Sequence, residues 1–363
     1  MNSRAIAMAL ALATFAMMAI LALSLRSRGG GEPRAGESSF HAQSSPRPTP
    51  SQSQPGAGPA TARTKTIGDL AHAGAHSWRG VVQVDSDDIT YQDGHITAGP
   101  AGIPQGITFI GSHKRVVLRN LTFDGVGDGI NIGNDETVDD FTIDACHFTN
   151  CRSPNATVSD DTLTGNRGYG IFGSGGSNWT IVNSTFQTKC KDAKSADQVD
   201  YSTQYAARLG RVRGLNVSQS RFENWNGKAC VWLMFVQMAS FQDAQFAGGS
   251  IRIGSRPGDM PGVEKGDCRD IIFRNCTFKF GAFDNWPASI NIFPGSRNIR
   301  FEHCTFTTEG EWWIDIDSRD TSDISWDDQC QWNGKKVTGY LGARSSMSRD
   351  EMAGHQIGLR NSP

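Results

Sequence analysis

Phe273-Arg274-Asn275-Cys276-Thr277-Phe278 and Phe301-Glu302-His303-Cys304-Thr305-Phe306 are one phrase written twice. Each runs from an aromatic through two polar residues to a thiol, a threonine and a second aromatic. Outward from it, the closing aromatic recurs as Phe123, Phe148, Phe186, Phe222, Phe246, Phe278, Phe306 and Trp332. The spacing is 24 residues at its shortest, Phe222 to Phe246, and 38 at its longest, Phe148 to Phe186. A variable period with a constant phrase means constant strands joined by variable loops.

Five residues before the first seven aromatics stand Leu118, Ile143, Ile181, Val217, Phe241, Phe273 and Phe301, and two further back Val116, Phe141, Trp179, Leu215, Ala239, Ile271 and Ile299. All are apolar. Three before the aromatic the residues turn polar, as Asn120, Asn183, Gln219, Asp243, Asn275, His303 and Gln329, with Ala145 the exception. This is two short strands around a tight polar turn. One such coil cannot close its own core, so coils must stack, with like residues over like at about 4.8 Å, and the turn asparagines are expected to bond one another from coil to coil. A third strand follows each aromatic: Ile130-Asn131-Ile132, Ala207-Arg208-Leu209, Val231-Trp232-Leu233, Ile251-Arg252-Ile253, Ile290-Asn291-Ile292 and Ile314-Asp315-Ile316. Its flanking residues face in and its middle residue out. The outer row is therefore Asn131, Phe172, Arg208, Trp232, Arg252, Asn291 and Asp315.

The phrases at Phe273 to Phe278 and Phe301 to Phe306 resemble the repeat of right-handed parallel β-helix proteins of the pectate-lyase-like kind, and the likeness runs from about Asp85 to Val337. It implies an all-β solenoid of about eight or more coils. Short capping helices are expected at both ends, one over Ile67 to Trp78 and one opened by a capping box at Ser348 and Glu351.

Residues 1–28 hold the apolar run Ala5 to Leu25, long enough to cross a bilayer, and read as a signal anchor or a cleaved signal peptide. Residues 29–65, rich in Pro, Ser and Gly, read as an extended tether. Residues 66–340 form the β-helix, and 341–363 a C-terminal cap or tail. The body is thereby expected outside the cytoplasm, membrane-anchored or secreted. A net charge of −2 gives no basic field for a phosphate backbone and argues against a nucleic-acid partner. Among the eight cysteines, Cys146, Cys276, Cys304 and Cys330 fall at one inward position and read as a buried column of thiols, whereas Cys151 and Cys190 are placed to form a bridge.

Arg208, Trp232 and Arg252 on successive coils make an aromatic platform between two cations, suited to an acidic sugar. In the family that the repeat resembles, the substrate groove runs along this sheet. The resemblance implies a polysaccharide or cell-surface glycan as partner, with lyase or glycoside hydrolase chemistry; the alternative is a non-catalytic glycan binder or rigid spacer. Catalytic candidates are Arg208 and Arg252 for elimination, and Asp315 with Asp317, about 7 Å apart on one strand face, for hydrolysis. Phe172, Trp232, Asn131 and Asn291 are the candidate substrate contacts, with Asp160 and Asp161 overhanging from a long loop. No metal site is assigned; calcium stays open as a cofactor.

Overall fold

The computed structural model describes residues 62–71, 81–98, 105–151, 168–187, 205–225, 229–255, 267–283, 286–287, 289–317 and 320–360. The apolar run Ala5 to Leu25 and most of the proline-rich stretch lie outside them. Among the described residues no helix is long and apolar enough to cross a membrane.

The repeating phrase folds as a strand pair bent at its polar turn. Arg269–Arg274 leads to Thr277–Phe280, Arg297–Glu302 leads to Thr305–Thr308, and each pairs in parallel with its counterpart in the next coil. The aromatics align across the whole series from Phe123 to Trp332. Their rings stack with centroids 4.4 to 5.5 Å apart from Phe123 through Phe306. That spacing is the strand separation itself, so every coil places a flat ring where the previous one left a flat face.

Two corners take the left-handed conformation repeatedly from coil to coil. One is the turn before the aromatic, where Asn120, Ala145, Asn183, Gln219, Asp243, Asn275 and His303 have φ between 48° and 55°. The other lies just before or just inside the start of the strand pair, at Asp88, Arg115, Asp140, Asn178, Gly214, Met238, Asp270, Asn298 and Asp323. Asn and Asp tolerate this region best among residues with a Cβ, which explains the polar bias at both corners. The recorded bonds between turn side chains run from amide to carboxylate rather than amide to amide. Asn120 donates to Asp93 at 2.8 Å, Asn178 to Asp140 at 3.0 Å and Asn298 to Asp270 at 2.5 Å. A carboxylate accepts more strongly than a second amide, so the alternation is favoured.

The third strands form a separate ten-stranded parallel sheet, from Val82–Val84 to Ala343–Ser345. Its inward residues, among them Ile130, Ile171, Val231, Ile251, Ile290 and Ile314, join the aromatic column in one continuous core.

The ends depart from expectation. Ile67 to Ala71 is not helical: it belongs to the strand Arg63–Ala71, paired residue for residue with Ile89–Thr97, because an open coil edge recruits a strand more readily than it is covered. The remainder of the expected helix, 72–78, lies outside the described residues. Among the described residues the stack thus starts at Arg63, and Ala343–Ser345, beyond the boundary expected at residue 340, pairs with Ile314–Ile316 as a further rung. After it Ser348 opens the helix Arg349–Gly354 with a capping box to Glu351, and Met352 buries in the core. The chain then returns to the large sheet, where Gly358–Leu359 pairs with Ser325–Trp326.

Cys276, Cys304 and Cys330 are buried one above another, their thiols donating to the carbonyls of Phe241, Phe273 and Phe301 at 3.4 to 3.5 Å. Cys146 occupies the same position higher up, donating to Leu118 O. Cys151 is buried; Cys190 lies outside the described residues.

Candidate functional site

Strand alternation turns every second residue of the ten-stranded sheet away from the core. The row forms in the register read from the sequence: Asn131, Phe172, Arg208, Trp232, Arg252, Asn291 and Asp315 are successive neighbours. Two rungs before Asn131 add Gln83 and Thr108, and one rung after Asp315 adds Arg344.

The row divides into three parts. Its centre is covered, not open: Phe172 is 7%, Arg208 4% and Trp232 1% exposed. These residues join Tyr169, Tyr205, Ala229 and Met234 in a second apolar cluster, on the outer face of the sheet. Arg208 lies between two rings, its guanidinium carbon 5.2 Å from the centre of Phe172 and 4.8 Å from that of Trp232. The indole N–H of Trp232 donates to Gly254 O at 2.8 Å. Phe172, Arg208 and Trp232 are thus packed residues rather than an exposed platform. Alternation fixes the direction of a side chain and says nothing about what lies over it.

The N-terminal part is polar. Asp128, buried, accepts from the Asn131 amide at 3.0 Å and from the Tyr169 backbone N–H at 3.2 Å, with Gln105 at 3.5 Å. The bond from Asn131 Nδ2 turns its Oδ1 away from Asp128. Asp128 lies within the glycine run Gly125 to Gly129, and alternation, which would turn it inward with Ile130, did not mark it.

The C-terminal part is open. Arg252, Asn291 and Asp315 are half-buried and Arg344 is exposed. Arg252 reaches back over Trp232, 5.8 Å from the ring centre. Arg344 approaches Asp315 at 4.0 Å and lies 4.5 Å above the half-buried ring of Trp312. Four successive rungs therefore present cation, amide, carboxylate and cation over about 14 Å, three strand spacings, with an indole beside the last. Asp317 follows Asp315 on the same face and is half-buried. Sequence reading missed Trp312 and Arg344. Trp312 was not legible by alternation, which would turn it inward with Ile314, whereas Trp313 takes the buried place; Arg344 lay in a segment read as tail. Asp160 and Asp161 lie outside the described residues. Among the described residues no group of three or more His, Cys, Asp or Glu side chains could hold a metal ion.

The family model described as "Right handed beta helix region" matches residues 80–235. The chain has the right-handed parallel β-helix fold. Among solved structures, polygalacturonase from Erwinia carotovora ssp. carotovora is 11% identical to this β-helix protein over 82% of the chain and 86% of its own, with a TM-score of 0.41. The Streptococcus pneumoniae surface protein and adhesin PfbA is 13% identical over 79% and 82%, with a TM-score of 0.41. The Azotobacter vinelandii mannuronan C-5 epimerase AlgE4 A-module is 11% identical over 78% and 85%, with a TM-score of 0.27. A comparison with curated proteins finds no match.

Proposed function

We propose that this β-helix protein binds an acidic polysaccharide along the C-terminal half of the outer row, from Arg252 to Arg344. The observation that carries the reading is the bracket of two guanidinium groups, Arg252 and Arg344, around Asn291 and Asp315 on four consecutive rungs, with Trp312 alongside. Cations fixed about 14 Å apart on a rigid sheet suit a ligand that repeats its own charge along a stiff chain, and an indole beside them offers a face for a sugar ring.

Asp315 and Asp317 support a second reading, hydrolysis. Two residues apart on one strand face, they stand about 7 Å apart, within the range that lets one carboxylic acid protonate a leaving oxygen while the other activates water. Elimination has less support, because Arg208 is packed between two rings. The apolar run Ala5 to Leu25 would carry the body across a membrane, and protease accessibility of the intact chain from outside the cell tests that part.

Titration with polygalacturonate tests binding. Saturable, salt-sensitive affinity that falls in Arg252→Ala and Arg344→Ala supports the groove; equal affinity in these variants and the parent overturns it. New reducing ends that disappear in both Asp315→Asn and Asp317→Asn support hydrolysis, and binding without turnover leaves a lectin-like protein.

A further inference from the structure

The last rungs of the large sheet carry a cleft of about 800 Å³ on the outer face, away from the ten-stranded sheet. The returning tail builds one wall. The Asp323 backbone N–H donates to His355 O at 2.9 Å, Ser325 pairs with Gly358, and the Arg360 N–H donates to Trp326 O at 2.8 Å. Gln356, at φ 57°, repeats the left-handed corner of Asp270, Asn298 and Asp323. The tail is therefore one more half-coil, and the cleft sits over the row Arg300, Ser325, Gly358.

Three features of the lining fit an anion. Arg300 is held by a relay: Asn298 spends its Nδ2 on Asp270 at 2.5 Å, which turns its Oδ1 towards Arg300 Nε at 3.1 Å. With Nε so engaged, the two terminal nitrogens keep their fork geometry for a bidentate acceptor. Arg360 brings a second guanidinium to the same cleft. Asp323, the one acidic group among the described lining residues, already accepts from the Ser322 hydroxyl at 2.9 Å. Gly358 opens the floor. A Cβ there would meet the Tyr340 ring at 3.1 Å, and the backbone stands at φ +143°, so glycine is what lets the ring and its hydroxyl lie against the sheet. Ser325 and Tyr340 supply hydroxyls, and Leu359 an exposed apolar edge.

We infer that this cleft is a ligand site for a carboxylate carried on a single sugar-sized ring, with Arg300 as its primary contact, Arg360 as the second cation and the Tyr340 ring as the wall for the ring's C–H face. The volume lies within the range of small-molecule sites. The site shares no residue with the groove from Arg252 to Arg344, so the two stand or fall separately.

The experiment is a calorimetric or NMR titration of the full chain with D-glucuronate, and with inorganic phosphate as a second arm. Glucuronate should bind saturably. Arg300→Ala should weaken it at least tenfold, Arg300→Lys less, and Tyr340→Phe severalfold, while Arg252→Ala leaves it unchanged. An Asn298→Ala variant, which frees Arg300 without removing it, should also weaken binding, a change that loss of charge alone would not produce. Absence of saturation, or an Arg300→Ala affinity equal to the parent, overturns the site. Phosphate binding as tightly as glucuronate overturns the carboxylate assignment.

Discussion

Arg252 lies on the rung after Trp232, its guanidinium carbon 5.8 Å from the centre of the indole ring, yet the two differ in kind: the ring is 1% exposed and the arginine half-buried. The indole supports and the guanidinium is presented. Removing Arg252 should therefore act on binding alone. Arg252→Ala is expected to weaken polygalacturonate binding by about 1 to 3 kcal/mol, the scale of one charge-assisted hydrogen bond, with the thermal midpoint unchanged. Arg274→Ala is the control. It lies on the large sheet, paired with Glu302 at 2.9 Å, and should bind as the parent does.

Trp232→Ala should behave differently. It deletes a fully buried indole together with its bond to Gly254 O and leaves Phe172 and Tyr205 around a void. A loss of about 3 to 5 kcal/mol in denaturant unfolding is expected. Trp312→Ala, at a half-buried ring under Arg344, should lose binding with little stability. Equal destabilisation by the two would show that the centre of the row is no more packed than its end.

The thiols set an alkaline limit. Burial pushes the Cys146 and Cys268 thiols up to about 12, and lifts Cys151, Cys230 and Cys304 as well. An acid whose folded value exceeds its unfolded one binds its proton more tightly in the native state. Its contribution is intact below the unfolded value, near 8.5, and is lost as pH rises above it, at about 1.4 kcal/mol per pH unit until the folded value is reached. Stability measured from pH 8 to pH 10.5 should fall, and Cys146→Ala should flatten the slope. Alanine already stands at this inward position as Ala244. Native labelling of Cys276, Cys304 and Cys330 should be slow throughout and rapid after unfolding.

Gly176 should tolerate no side chain. Its φ is +134° and a Cβ would stand 1.9 Å from the Val138 carbonyl oxygen, so the neighbouring coil would have to move. Gly176→Ala is expected to cost several kcal/mol, from strain of about 1 to 3 kcal/mol plus the backbone clash, read as a lower denaturation midpoint. Gly354→Ala, with open space around it, is the comparison and should be nearly neutral.

The coil was legible in the sequence because its positions are decided by packing. Phe273 and Phe278 must each meet a like ring, so their spacing cannot drift, and Cys276 inherits its inward place from them. The outer row was legible in register for the same reason, since Arg252 must point out if Ile251 and Ile253 point in. Its exposure was not. Alternation fixes the direction of Arg208 and Trp232 and carries no information on their burial. Ile67 to Ala71 misled because a few apolar residues at mixed spacing suit a helix as well as a strand, and only the partner Ile89–Thr97 decides. Arg344 was lost because a three-residue strand in a polar tail carries no signal until Asp315 is beside it.

The bent strand pair keeps its length from coil to coil, whereas the chain lengthens chiefly at the two corners that flank the ten-stranded sheet, as at Thr149 to Gly168, Gln187 to Gln204 and Gly254 to Asp270. One side of the molecule is thus a chassis and the other a workbench. Residues inserted, deleted or exchanged beside the ten-stranded sheet need not disturb the stacked rings, which makes this scaffold a natural recipient for grafted loops.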